Sequence, residues 1–435
     1  MFRIIFPVAA LLLSVALLQT GNGIQGTLLP VRAEVESFTT LSIALLGSTY
    51  FLGFIAGCLY GPKLVSLVGH IRVFTAMVAL ASTTSLVHGL VAEPFVWWVL
   101  RIATGFSFAV LYVVIESWLN DSATKETRGT IFAIYLVINM TLMTLGQLLL
   151  LVFDIRGFEL FAITSILVSL AAMPVALSNA QAPKISPRVK TNLKRIFAIS
   201  PVGFVGCVSA GVISGSFWAL APKYASSMGF DVPGIALFMS ITLMAGAVSQ
   251  VPIGMISDRF DRRGVMAVVA ALSVAASIAL FLFSKSNGIH PYVLAGFWGA
   301  FTFPIYGLAT AHANDFADPE QFVEVSSGLL LIFAFGAIAG PVAAAQLMTL
   351  TSADALFGFG AAIQLLLILF IVWRSTIRDT TPHEDHVRYI DALTAANSVS
   401  TVLDESIQRD LVESEEASHH EDRVVGSAGS NDSKN

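Results

Sequence analysis

Charge is scarce in this sequence. Asp, Glu, Lys and Arg make up 12% of its 435 residues, where a soluble domain carries about 25%. So few charges cannot coat a water-facing globule of this length, and lipid must cover much of the surface. Cysteine is scarcer still. Cys58 and Cys207 both lie in apolar runs, which excludes a disulfide framework and leaves them as small buried hydrophobes rather than a metal site. There is no P-loop, nucleophile motif or metal-ligand cluster in a polar stretch. The expectation is therefore no enzyme, no nucleotide-driven pump, no cofactor, no metal and no nucleic-acid partner.

What is abundant is apolar sequence, with 55% hydrophobic residues and a mean hydropathy of +0.78. A spanning helix needs about 20 mostly apolar residues. Twelve stretches qualify, near 5–30, 39–60, 72–92, 95–118, 130–152, 158–178, 201–224, 233–255, 265–284, 290–312, 326–349 and 354–374. Backbone in hydrocarbon must satisfy its own hydrogen bonds, so these are helices. The run after Arg3 resembles a signal peptide up to Leu18, but it continues to Pro30 and reads as a first membrane helix that also targets the chain.

Between the sixes lies a basic segment, 179–200, with Pro183, Pro187, five Lys/Arg and no acid. It reads as a linker between an N-terminal half (1–178) and a C-terminal half (201–375). With the N-terminus in the cytoplasm, thirteen basic residues fall on the inside and only Arg32, Arg156 and Lys285 outside, so both termini are expected to be cytoplasmic and the chain to sit in the inner membrane. Beyond 375 the composition inverts. The segment 375–435 holds thirteen acids and five Lys/Arg, so the formal charge of −5 splits into +3 for the body and −8 for the tail. The tail, 376–435, reads as mostly disordered, with one short amphipathic helix possible near Val387–Leu393. Its histidines, His383, His386, His419 and His420, read as solvated side chains rather than metal ligands.

The halves look like repeats. A shift of 194 residues lays Tyr112 on Tyr306, Asn120 on Asn314, Asp121 on Asp315 and Gly146 on Gly340. The fold expected is thus all-α, twelve transmembrane helices in two six-helix pseudo-symmetric halves, a known transporter plan.

Polar residues at bilayer depth are expensive and point to function or to helix pairing. In the fourth helix, Arg101, Gly105, Phe108, Tyr112 and Glu116 fall within about 80° of one another. Arg101 is placed in the outer half facing a central cavity, with snorkelling to the surface as its competing reading. Glu116, about 22 Å further along, is placed at the inner mouth; an interfacial ion pair and a proton-coupling role are both open for it. In the first helix Gln19, Asn22 and Gln25 share one face and can bind a solute or glue neighbouring helices. The seventh helix adds Ser214, Ser216, Trp218 and Lys223, and the tenth adds Trp298, Tyr306 and His312, as aromatic walls with sparse polar groups. Glycine stripes at 53, 57 and 61, at 211 and 215, and at 336 and 340 permit close helix approach. After the eighth helix, Asp258 stands beside Arg259, Arg262 and Arg263 at a helix end, an arrangement suited to a clasp that forms and breaks.

That last segment, GMISDRFDRR, resembles the Gly-x-x-x-Asp-Arg-x-Gly-Arg-Arg signature of the major facilitator superfamily, with Asp261 in place of the second glycine. The first-half copy at 61–72 is degenerate: Gly61, Lys63, Gly69, His70 and Arg72 remain and the acid is missing. Arg101-Ile-Ala-Thr-Gly105 is similar to the superfamily's fourth-helix motif, which implies proton transfer in some members. VIESWLN (114–120), Arg128-Gly129, Gly146-Gln147 and Gln250-Val-Pro-Ile-Gly254 resemble the bacterial YcaD-like branch. The resemblance implies a secondary active transporter for a small solute, by alternating access and with proton coupling open. A transporter-like sensor signalling through the tail, a drug efflux antiporter and a channel are the alternatives. Drug antiporters carry a glycine-proline motif in helix 5, whereas here Gly340-Pro341 stands in helix 11.

The candidate solute-binding residues are Gln19, Asn22, Gln25, Arg101, Tyr112, Trp218 and Tyr306. The candidate inner gate is Asp258, Arg259, Arg262, Glu116 and Arg128. Partners expected are a small-molecule solute and the lipid bilayer, with the chain a monomer.

Overall fold

A computed structural model describes residues 8–123, 127–177, 192–282, 289–317 and 321–377, with Tyr389 and Ala392; the side chains at 128, 129, 322 and 323 lie outside the description. The chain runs through α1 (Ala9–Val35), α2 (Thr40–Val68), α3 (His70–Leu90), α4 (Pro94–Asp121), α5 (Arg128–Leu148), α6 (Glu159–Leu170), α7 (Ala172–Ala176), α8 (Leu193–Ile199), α9 (Pro201–Ser227), α10 (Val232–Ser257), α11 (Arg262–Leu282), α12 (His290–Thr302), α13 (Pro304–Asn314), α14 (Phe322–Leu350) and α15 (Ala355–Ser375). Among the described residues, eleven helical segments are long and apolar enough to cross a membrane. The twelfth span is α1, whose 27 residues suffice in length and whose apolar average is lowered by Gln19, Asn22 and Gln25.

Start and stop chemistry explains the boundaries. Thr39, Ser200 and Asp231 each accept a backbone N–H in the first turn of the helix that follows, satisfying donors that a helix end leaves open. Pro94 and Pro201 occupy first helical positions, where a missing N–H costs nothing. The tenth span is two helices, because Pro304 lacks the N–H that Ala300 would accept. The sixth is likewise broken at Ala171. The second helix runs on to Val68, eight residues past the expected end, and turns into α3 at Gly69, whose φ of +87° suits glycine.

The linker segment 179–200 contains α8, capped by Asn192, with Arg195 Nη1 3.4 Å from Glu324 of α14. Part of the tail is also described. Tyr389 and Ala392 are buried, at 3% and 1% exposure, against the second half. They fall on the stretch where a short helix was expected; the neighbouring tail positions lie outside the described residues.

Glycines set the helix spacing. Gly53 and Gly57 pack on backbone of α4 at Ile102 and Phe106, and Gly105 packs back on Tyr50. In the second half Gly246 packs on Phe303 and Gly299 on the Thr242 carbonyl. Gly23 and Gly146 join α1 to α5, and Gly211 and Gly340 join α9 to α14, in the same manner. Gly105 with Gly299 and Gly146 with Gly340 are each 194 residues apart, so the repeat spacing read from sequence recurs as pairs of close helix crossings. Away from these seams, Leu145, Ile166, Leu282 and Leu366 stand exposed, as a lipid-facing surface requires.

Three hydrophobic clusters show how the halves meet. One draws on both, with Ile24, Leu28, Ile43 and Trp97 from the first and Phe217, Leu220, Tyr224 and Phe357 from the second. It lies toward the side away from the linker. The other two lie toward the linker side, one built from the first half alone and one from the second alone. The seam between α2 and α14 reaches deepest, where Phe54, Ile55 and Cys58 meet Leu331 and Ala334. The halves are sealed on the far side and part toward the linker side.

The glycine contacts carry a test. A methyl at Gly53 would collide with the Ile102 carbonyl, whereas one at Gly26 would find its nearest neighbour 3.9 Å away. Gly53→Ala should destabilise by about 1–3 kcal/mol, while Gly26→Ala should stay close to wild type. Thermal unfolding of the purified full chain in detergent reads both.

A cavity between the halves

Between the halves lies a cavity of about 350 Å³. Helical periodicity builds it. On α1 Gln19, Asn22, Gln25, Gly26 and Leu29 share one face; on α2 Gly47, Tyr50, Phe51 and Phe54 do; on α10 Leu243, Ala247 and Gln250 do. α4 contributes Arg101 and Tyr112, α9 contributes Ser214 and Trp218, and Phe303, Tyr306 and Phe333 close the opposite wall. All seven candidate solute-binding residues line this one cavity.

Their surroundings separate them. Gln19 is spoken for. Its Oε1 accepts from Tyr112 Oη at 3.0 Å, and its Nε2 donates to Asn139 Oδ1. Asn139 donates to the Tyr135 carbonyl at 2.9 Å, and Tyr135 Oη donates to Glu116 at 3.2 Å. Gln19 is thus both cavity wall and the tie of α1 to α4 and α5. Gln25 is the opposite case. It is 2% exposed, and neither its oxygen nor its nitrogen has a hydrogen-bond partner among the described residues.

Arg101 points inward rather than to the surface. Its guanidinium lies over the Tyr50 ring, 4.4 Å from the centroid, and Nε donates to the Leu46 carbonyl at 3.3 Å. It forms no ion pair among the described residues, and it is the single charged side chain on the wall. A guanidinium stacked on a ring keeps part of its stabilisation when water is thin. Tyr306 stacks obliquely on Phe333, with centroids 4.9 Å apart.

Four further polar or aromatic residues noted on these helices stand outside the cavity. Ser216 returns its hydroxyl to the Val212 carbonyl at 2.7 Å, as serines inside helices commonly do. Lys223 reaches Glu34 at 3.6 Å across the far-side rim, bridging α9 and α1. Trp298 is a core residue, donating to Ser277 at 2.9 Å and stacked on Phe217. His312 is buried near the linker side against Phe316. Conversely, Tyr50, Phe51, Phe54, Met140, Phe303 and Phe333 line the cavity without having been singled out, and Gln250, quoted only as part of a motif, lines it too. The i, i+3, i+4 stripes on α2 and α10 carried that signal.

The expected gate is a clasp within the second half. Arg262 joins Asp258 at 3.0 Å and Asp315 at 2.8 Å; Arg262 and Asp315 are each 1% exposed. Asp315 was visible in the sequence only as the repeat partner of Asp121. The segment at Tyr389 completes the arrangement. Its backbone N–H donates to Asp258 at 2.8 Å, and its ring lies on Gly254, where any Cβ would strike it. Burial pushes the Tyr389 phenol above its ordinary range. In the first half His70 stands where the second has arginines, within 3.3 Å of Ser117. Glu116 is 1% exposed and inside the first half, not at an open mouth, because Tyr135 draws it between α4 and α5. Arg259 is exposed and makes no ion pair among the described residues. The Arg128 side chain lies outside the described residues. The bonds of Arg262 to Asp258 and Asp315 and of Glu116 to Tyr135 each lie within one half.

The Major Facilitator Superfamily sequence model matches residues 11–321 and 202–392. The chain is 27% identical over 368 residues to the MFS-type transporter YcaD of Escherichia fergusonii, covering 84% of this chain and 95% of that one. In shape it is similar to the nucleoside transporter NupG, at a TM-score of 0.72 and 14% identity over 85% of this chain and 98% of that one. It is also similar to a D-xylose–proton symporter, at a TM-score of 0.68 and 12% identity over 85% of this chain and 97% of that one.

The Tyr389 seat is open to test. Gly254→Ala puts a methyl where the ring lies, so exchange of the Tyr389 amide with deuterium should quicken by about ten- to hundredfold. Mass spectrometry of the tail peptide, with peptides of α1 as internal reference, measures it.

Proposed function

The chain belongs to the major facilitator superfamily, and from that premise we propose that it carries a small solute across the cytoplasmic membrane by alternating access. One observation bears most of the weight: the cavity lies between halves that seal on one side and part on the other. Rocking of one half against the other would exchange the two openings around a fixed binding place. The basic excess on the linker side supports a cytoplasmic location for both termini, so the conformation described is the one open to the cytoplasm.

In this cycle Gln19, Asn22, Gln25, Arg101, Tyr112, Trp218 and Tyr306 bind the solute. Asp258 and Arg262, tied to Asp315, stiffen the rim of the second half. Arg259, exposed on that rim, would meet the opposite half on closure, and Arg128 is retained as a gate candidate on its sequence alone. The chain from Tyr112 through Gln19, Asn139 and Tyr135 to Glu116 links the wall to a buried carboxylate, which supports proton coupling through Glu116.

Two experiments test the reading. An added Cβ at Gly47 would lie 2.9 Å from that of Ala219 across the far-side seam, close enough for a disulfide after a small backbone shift. Solutes that raise the melting temperature of the purified protein supply the cargo. In vesicles, oxidised Gly47→Cys/Ala219→Cys should lose counterflow of such a solute and regain it on reduction; undiminished flux in the oxidised form rejects alternating access at this seam. Proton coupling through Glu116 predicts that Glu116→Gln loses the acceleration of uptake by a pH gradient but keeps counterflow. An unchanged pH response removes Glu116 from the cycle.

A further inference from the structure

We propose that the solute is a flat organic monoanion, an aromatic carboxylate that sets its charge on Arg101 and its ring among the aromatic walls. This deepens the transport reading and rests on it for the solute's passage, though the binding argument stands on the cavity alone.

Depth comes first. Counted from the far-side ends of their helices, Arg101 is seven residues in, Trp218 nine, and Gln25 and Tyr50 ten. At 1.5 Å per residue they lie about 10–15 Å deep, in one layer at the closed end of the cavity. That layer holds a cation, an indole, a phenol and an amide.

Charge balance sets the sign and the size of the ligand's charge. Arginine stays protonated at physiological pH. An isolated charge away from bulk water costs several kcal/mol unless a counter-charge compensates it. Among the described residues no carboxylate lines the cavity and no other cation does, so one negative charge on the solute brings the layer to neutrality. A dianion such as a phosphomonoester would leave one charge over, and a cation would meet Arg101 with nothing to balance either. Nε is engaged with the Leu46 carbonyl, while Nη1 and Nη2 donate to no protein atom among the described residues. Two donors side by side in the guanidinium plane match the two oxygens of a carboxylate.

The walls set the body. Tyr50, Phe51, Phe54, Trp218, Phe303 and Phe333 present ring faces and edges, which favour a flat ring over a polyol. A sugar would turn most of its hydroxyls toward carbon, and an unpaired hydroxyl costs about 1–3 kcal/mol. Gln25 adds selectivity. Its amide is buried with donor and acceptor both unpaired among the described residues, a state that a ligand edge carrying one acceptor and one donor relieves. A carboxamide on the ring has such an edge.

Benzoate, benzamide and benzamidine share shape and differ in charge, which isolates the sign. By isothermal titration of the full chain in detergent, benzoate should bind at least about tenfold tighter than either relative. Arg101→Gln should abolish the preference and Arg101→Lys should keep part of it, with melting temperatures confirming that both variants fold. A carbamoyl group on benzoate, tried at the 3- and 4-positions, should tighten binding at one of them. Gln25→Leu should erase that gain, so that the carbamoyl compound binds no tighter than benzoate to the variant. Equal affinity for the three probes, or a preference that survives Arg101→Gln, overturns the proposal. The transport reading fails separately: benzoate bound with Arg101-dependent preference but giving no counterflow keeps this inference and removes that one. Counterflow of another solute without benzoate binding does the reverse.

Discussion

Hydrocarbon offers no hydrogen bonds, and this constraint orders the molecule. A polar side chain at bilayer depth has to find a partner on another helix or face water. Most find partners. Ser82 bonds Ser165 and Ser169, Thr84 bonds Thr104, and Gln364 bonds Ser273. Arg101 and Gln25 keep polar atoms that meet no protein partner among the described residues, and both stand on the wall of the central cavity.

Close helix approach makes the cavity by contrast. Where glycine meets backbone, at Gly53 with Ile102 or Gly340 with Val212, helices lie against one another with no room for side chains. Within each half those seams are tight and form a rigid bundle. Between the halves the seam is tight on the far side alone. Rigid bundles joined along one rim are suited to rocking, because the interiors of the bundles are close-packed and resist deformation.

The clasp of the second half adds an asymmetry. Arg262 pairs with Asp315 in a nearly dry setting and with the half-exposed Asp258 at its edge, and a buried pair costs little only when its geometry and charges match closely. The Tyr389 amide takes a further lone pair of Asp258. The first half, with His70 in the corresponding place, has no such lock among its described residues. Movement at the linker side is therefore expected to involve one stiff rim and one soft one.

Much of this was legible in the amino-acid order, because it depends on local periodicity and composition. Runs of about 20 apolar residues, the basic segment 179–200 and the 194-residue repeat specified twelve spans in two halves. A shared helical face put Gln19, Asn22 and Gln25 on one side of α1 and Arg101 and Tyr112 on one side of α4, and all five line the cavity. Tertiary structure alone decided the rest. Gln19 is tied up and Gln25 is not because Asn139 of α5 stands opposite one, while no hydrogen-bonding partner among the described residues meets the other. Ser216 and Trp298 lie on the right helices but the wrong faces, since helix rotation is settled by the neighbours packed against it. Tyr389 finds Gly254 across more than a hundred residues, a contact that no spacing along the chain encodes because it depends on how two folded surfaces fit.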